Sequence, residues 1–472
     1  MRVAANFRIA AMMHLGCAWC FCCLIVSQAI AQTPRPVDPR EFGLNIPPGP
    51  VRAGNDEAIA TADDDGSPVV AKLLVDVGDY RIVMLPDGRL VPRPMQAATL
   101  TERKFEPITK DALSSQLLAQ EFSGFKTNQT RHYLNVYNTS EEFALATSRI
   151  METMFPGVAN YAKAQKIEIA EPDVPLVVVM FRTEDEFQRY QRMPTGVVAY
   201  YNILDNRVVM YEESRLKSVK PELAIQQSIA TIAHEGAHQI LHNIGVQKRL
   251  SRWPMWLSEG IAEFFAPTTF GSRLKWKGAG QVNDMRMFEL EMYLKSRESD
   301  QPDGHMIEQT VIASRLTSTG YASAWSLTHY LAKIKRVNFN DYVREVSQLG
   351  PLETIGETVA PGVVPENLEL FHKHFGDDLG DLNKRLVLHL KKLPYSDPFA
   401  EWPHFVATVA VPDGRRAKRD ANIFHSADMA SKWIEEALET VDAQQRSAAA
   451  TDVRVFANRT IATQYARQWL GQ

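Results

Sequence analysis

The order of patterned segments predicts an α+β fold. Short apolar or alternating runs are concentrated before residue 212, helical spacing dominates from Pro221 to about Leu393, and residues 404–472 return to a mixed pattern. The 472 residues exceed one ordinary domain, for which roughly 150 residues is the usual scale. The 45% apolar content can fill a sizeable core. A net charge of -4 excludes a strongly basic chain, so no nucleic-acid partner is expected.

Residues 1–31 read as a secretory signal peptide. Arg2 and Arg8 form a basic start, residues 9–27 are mostly apolar, and Ala29-Ile30-Ala31 fits a small-x-small cleavage site. An uncleaved anchor is the competing reading, because the run approaches the length of a span. All four cysteines, Cys17, Cys20, Cys22 and Cys23, lie in this segment, so the cleaved chain would hold no disulfide and no thiolate metal site. The expectation is export to periplasm, envelope or medium, with no stable membrane span after cleavage.

Residues 32–68 are rich in Pro, Asp, Gly and Ala and read as a flexible linker, with Asp63-Asp64-Asp65 as its solvated part. Residues 69–122 form a small β-containing region. Its mark is the hairpin signature Pro86-Asp87-Gly88 between apolar runs. By position alone, residues 32–122 could serve as an inhibitory propeptide.

The main domain is expected over residues 123–395. Residues 132–137 alternate as a strand, Ser140 caps a helix reaching residue 161, and residues 175–181 form a buried strand. Thr183 caps a short helix, and residues 197–201 and 207–211 flank the turn Asp205-Asn206. Residues 396–472 are expected as a small α+β appendage.

The chemistry is concentrated in His234-Glu235-Gly236-Ala237-His238, an H-E-x-x-H pattern. Residues four apart on a helix share a face, so two imidazoles can reach one zinc ion, while the intervening glutamate can take a proton from the attacking water. Ile225, Ile229, Ile232, Ala233, Ile240 and Leu241 fall at helical spacing, with Pro221 in the first turn and Gly245 at the end. The segment Trp256-Leu257-Ser258-Glu259-Gly260-Ile261-Ala262 reads as a second helix. Glu259, 21 positions after His238, has room to return as a third ligand, leaving an open position for catalysis.

Together these two segments resemble the gluzincin superfamily of zinc peptidases, closest in wording to its aminopeptidase branch. They also resemble, more loosely, a poorly characterised family of secreted bacterial proteins. The resemblance implies a zincin-like metallopeptidase domain with a small N-terminal sheet and a helical C-terminal half. It implies Zn²⁺ on His234, His238 and Glu259, Glu235 as general base, and Glu263 as the acidic residue that orients a histidine ligand. Asn243 matches the end of the branch's HExxHxxxxN pattern, and Tyr321 matches a tyrosine that donates to the oxyanion. Ala324 stands where that downstream pattern has glycine, and no G-x-M-E-N motif precedes His234, so aminopeptidase specificity is not implied. Residues 207–211 could be the edge strand along which such enzymes bind extended peptide, or a plain hairpin. His242 reads as a packing residue, and His132, His305, His329 and His425 carry no motif spacing.

The resulting expectation is an exported zinc metallohydrolase, a peptidase acting on peptide or protein. The alternative is a catalytically silent, zinc-stabilised binding or scaffold protein of the envelope.

Overall fold

The computed structural model describes residues 34–213, 221–269, 275–296, 304–355, 364–413, 416–439 and 441–471. The expected signal peptide lies outside the described residues. No helix among the described residues is long and apolar enough to cross a membrane. The α+β class is observed.

The site rests on a five-stranded sheet. Its order is Ala199–Asn202, Arg207–Glu213, Leu176–Thr183, Tyr133–Tyr137, Lys126–Gln129. The three middle strands are parallel to one another, and each outer strand is antiparallel to its neighbour. Parallel strands are covered on both faces, and Tyr133–Tyr137 is buried at every position. One face packs with the helices Glu141–Ala164 and Pro221–Asn243. There Val178, Met180, Val208 and Met210 meet Met151, Ile232 and Ile240. The other face is covered by Lys110–Gln120 and Glu184–Tyr190, through Leu113, Leu117 and Phe187 against Val136, Val179 and Val209. The main domain therefore begins before residue 123, with the helix at 110.

Residues 207–211 are not an edge. Arg207–Glu213 lies inside the sheet, and Ala199–Asn202 forms its border. The reason is the pairing beyond the hairpin: Arg207–Glu213 also pairs in parallel with Leu176–Thr183, while the tight turn at the left-handed Asn206 (φ 57°) places Ala199–Asn202 on its other side.

Residues 34–68 correct the linker expectation. Val51–Ala53 and Ala58–Ala62 pair with Pro68–Val77 in a six-stranded antiparallel sheet that also holds Tyr80–Met84, Leu90–Pro94 and Thr99–Leu100. Ala58–Ala62 buries fully only Ile59 among its large side chains. Such a strand leaves little apolar signal in the sequence. Asp63 and Asp64 are not free in solvent either, because Arg89 holds both and Arg93 holds Asp64.

This sheet shares a core with the rest of the chain. Leu250 and Leu352 pack with Leu44, Val75 and Ile82, which does not suit a segment meant to come away. The buried Arg249 is the main polar tie. Its guanidinium donates to the carbonyls of Gly88 (2.7 Å), Ile203 (3.1 Å) and Leu204 (3.1 Å), joining the 86–88 turn to the loop after the border strand.

Beyond the main domain, His404–Asp413 pairs antiparallel with Arg416–Phe424 and Ala450–Phe456. The helices Ala427–Glu439 and Arg459–Leu470 pack against this sheet. Arg416–Phe424, rich in charge and alanine, is the strand not anticipated here.

Because Arg249→Ala would leave the carbonyls of Gly88 and Ile203 without this donor, while Leu90 still serves Leu204, it should cost about 2 kcal/mol. Urea unfolding should show the loss, and an unmoved midpoint would mean that the tie contributes nothing.

Candidate metal centre

The helix Pro221–Asn243 carries His234, Glu235 and His238, and ends at Gly245, whose φ of 81° suits a left-handed stop. Buried amides fix its roll and depth. Gln239 donates to the carbonyls of Val177 (3.1 Å) and Asn206 (2.8 Å), anchoring the helix to the central strand and to the hairpin turn. Asn243 donates to Asn206 Oδ1 at 2.7 Å, and Asn206 returns a bond to Asn243 at 2.8 Å. Asn243 thus joins the site as a clamp between helix and turn.

The second helix, Met255–Phe265, presents Glu259 and Glu263. Gly260 lets it press against the helix Ser318–Ile334. A Cβ at that position would stand 2.7 Å from the carbonyl oxygen of Ala324 and would also meet the Thr328 hydroxyl. On the first helix Gly236 does the same toward Met151, whose Sδ would be 2.6 Å from an added Cβ. In both helices the residue after the site glutamate is small because a neighbouring helix lies behind it.

These two helices bring His234, His238 and Glu259 into one cluster able to hold a metal ion. His234 Nε2 is 3.1 Å from Glu259 Oε2 and 3.2 Å from His238 Nε2, and His238 Nε2 is 3.5 Å from Glu259 Oε2. A tetrahedral ion with ligands at about 2.0–2.1 Å spaces its ligand atoms roughly 3.3 Å apart. The three separations therefore match one face of such a tetrahedron. All three atoms carry lone pairs, and a cation removes the repulsion among them.

Glu263 lies beside His234. Its Oε1 is 3.1 Å from His234 Nδ1, without the direction of a good hydrogen bond. Its other partners had no signal in the sequence: Arg286 donates to Oε1 at 2.6 Å and Asn283 to Oε2 at 2.8 Å. They sit 23 and 20 positions downstream, with no motif spacing, and only the fold reveals them. Burial pushes the Glu263 carboxyl up, but Arg286 and His234 hold it down at about 2. Arg286 continues to Glu289 at 2.7 Å and lies 5.2 Å from the centre of the Tyr321 ring. The carboxylates of Glu259, Glu263 and Glu289 outnumber the Arg286 guanidinium, which leaves an excess of negative charge that suits a cation.

Glu235 Oε2 accepts the main-chain N–H of Tyr201 at 2.8 Å, so the border strand holds the carboxylate in place. Burial raises the Glu235 carboxyl above its ordinary range. Tyr321 lines the same cleft of about 330 Å³ as the three ligand residues, Glu235 and Phe42. Burial, with Glu259 nearby, pushes its hydroxyl well up, so it is a proton-bearing donor at neutral pH. His242 donates to the Gln247 carbonyl at 3.1 Å and stacks on Tyr201, as expected of a packing residue.

Residues 228–353 match the family model described as "Protein of unknown function (DUF1570)". The match covers the first helix from Ser228 onward, the whole of the second, and Asn283, Arg286 and Tyr321. No curated protein matches the chain.

Removing Arg286 leaves Glu263 held by Asn283 alone and weakens its hold beside His234. Arg286→Ala should weaken divalent-metal affinity about 10- to 100-fold in competition with a chelating dye. An unchanged affinity would show that Glu263 needs no such support.

Proposed function

We propose that this chain is an exported zinc-dependent metallohydrolase of the gluzincin type, with a zincin-like catalytic domain, and that its substrates are peptides or proteins. The observation that carries the reading is the meeting of a tetrahedral ligand face with a glutamate base. His234, His238 and Glu259 converge within 3.5 Å, and the neighbouring Glu235 is held by a main-chain donor rather than by a ligand position. A site that only stabilises a fold has no use for that base. Export rests on the pattern of residues 1–31.

Zinc held by the two imidazoles and Glu259 supplies Lewis acidity and lowers the pKa of water to about 7. Glu235 receives the proton of the attacking water and delivers it to the leaving amine. Burial suits it to both tasks, because a raised carboxyl exchanges a proton more readily near neutral pH. Tyr321 donates to the oxygen on which negative charge develops. Glu263 keeps the His234 ring oriented. The border strand Ala199–Asn202 offers an extended substrate main-chain pairing beside the base, which favours peptides over small esters.

The test joins metal content with cleavage. Purified protein should retain zinc at His234, His238 and Glu259 and cut members of a broad peptide library. Glu235→Gln should keep the metal and lose about 10²–10⁴-fold in rate. Zinc without cleavage in the unaltered protein would favour the binding or scaffold reading, and no zinc at these residues would end the proposal.

Tyr321→Phe removes the donor and little else. It should lower kcat about 10²–10³-fold at nearly constant KM and metal content. Full activity in this variant would release Tyr321 from the mechanism.

A further inference from the structure

A second group of metal-ligating side chains lies in the C-terminal module and shares no residue with the first. Asp397 comes from the turn after the last main-domain helices, His404 opens the strand His404–Asp413, and His425 follows the strand Arg416–Phe424. The ladder pairs Phe405 with Phe424, and one step further along it sets His404 opposite His425. A hairpin register thus does what helical spacing does at the first centre. The carboxylate then completes a cluster whose ligand atoms all lie within 4.8 Å of one another.

The state of His404 points to a ligand. Its ring is fully buried, and Nδ1 donates to the Trp402 carbonyl at 2.7 Å. With Nδ1 as the donor, Nε2 of the neutral ring is the atom that offers a lone pair. Nε2 is buried with no hydrogen-bond partner and faces Asp397 Oδ2 at 3.5 Å. His425 Nε2 is 3.7 Å from the same oxygen. Lone pairs facing one another in a dry space repel unless a cation stands between them. A carbonyl fixing the remote nitrogen is also the usual support of a metal-binding histidine.

Arg459 is the objection to meet, since its Nη1 lies 2.5 Å from Asp397 Oδ2. Its second branch reaches Glu291 at 3.2 Å, so two carboxylates share one guanidinium and one negative charge remains. A carboxylate oxygen has two lone pairs and can accept Arg459 on one and a metal on the other. Asp397 Oδ1 accepts the Phe399 N–H at 2.8 Å, which fixes the plane of the group.

We propose that Asp397, His404 and His425 bind a second divalent ion of the zinc class, and that this ion fastens the C-terminal module to the helix Asp284–Ser296. Two imidazoles and one carboxylate suit zinc. His425 keeps 18% of its side chain exposed, which gives the ion a way in. The helix it would secure already meets the module: Asp284 accepts the Ser396 N–H at 3.0 Å, Phe288 lies 4.7 Å edge-on to the His425 ring, and Glu291 pairs with Arg459.

The experiment counts metal on the full chain by titration with Zn²⁺ and with Co²⁺, whose visible spectrum reports each site. The unaltered protein should take about two equivalents. His234→Ala/His238→Ala should retain one, and His425→Gln should lose one while keeping peptide cleavage. The retained ion should raise the Tm of the His234→Ala/His238→Ala variant, a readout that needs no activity and holds if His425→Gln fails to fold. If that double variant binds no metal, His404 is held by protons alone and the second site does not exist. If it binds one equivalent while His425→Gln binds none, the second site stands and the first centre falls.

Discussion

Three largely buried, electron-rich atoms within 3.5 Å of one another are the arrangement on which the main domain depends. Imidazole and carboxylate would drift apart if left free. They stay together because each is mounted on a helix that cannot move alone. Gln239 and Asn243 pin the first helix to the sheet by buried hydrogen bonds, and Gly260 seats the second against its neighbour at backbone distance. Preorganisation of this kind places the cost of gathering lone pairs in the fold, so that little reorganisation remains when a cation arrives.

The helix Asp284–Ser296 connects that centre to the C-terminal module. Near its start, Asn283 and Arg286 grip Glu263, and through it His234. Along the same helix, Asp284, Phe288 and Glu291 meet Ser396, His425 and Arg459. The Glu263 carboxylate beside His234 is therefore held from a helix that the appendage also meets, which links residues 396–472 to the cluster through packing.

What could be read from the sequence was local. The H-E-x-x-H helix, its end at Gly245 and the second helix with Glu259 follow from spacing within one element, and they stand where spacing puts them. Properties of the assembled sheet were not legible. Whether Arg207–Glu213 or Ala199–Asn202 forms the border depends on what pairs beyond the hairpin, and both strands satisfy the same alternation. Residues 51–62 were passed over because strands that bury one large side chain look like coil. Asn283 and Arg286 join the site through tertiary packing. His425 carried no motif spacing because its partners lie 21 and 28 positions away in a strand and a turn, and only the ladder register brings them together.

The position of Glu235 shows how far such dependence reaches. The carboxylate takes its hydrogen bond from the Tyr201 N–H, so its aim is set by the border strand and not by its own helix alone. That strand is held at its end by the left-handed Asn206, whose side chain also receives the Tyr201 hydroxyl at 2.9 Å. The loop between them is fastened through Arg249 to the 86–88 turn, and Leu90 donates to the Leu204 carbonyl at 2.7 Å. The N-terminal sheet thus bears on Glu235 through the Arg249 guanidinium and the Leu90 N–H, and Phe42 from the same region lines the cleft itself. A segment with both roles is part of the site's architecture, and without it the Glu235 carboxylate would be held by a loose hairpin.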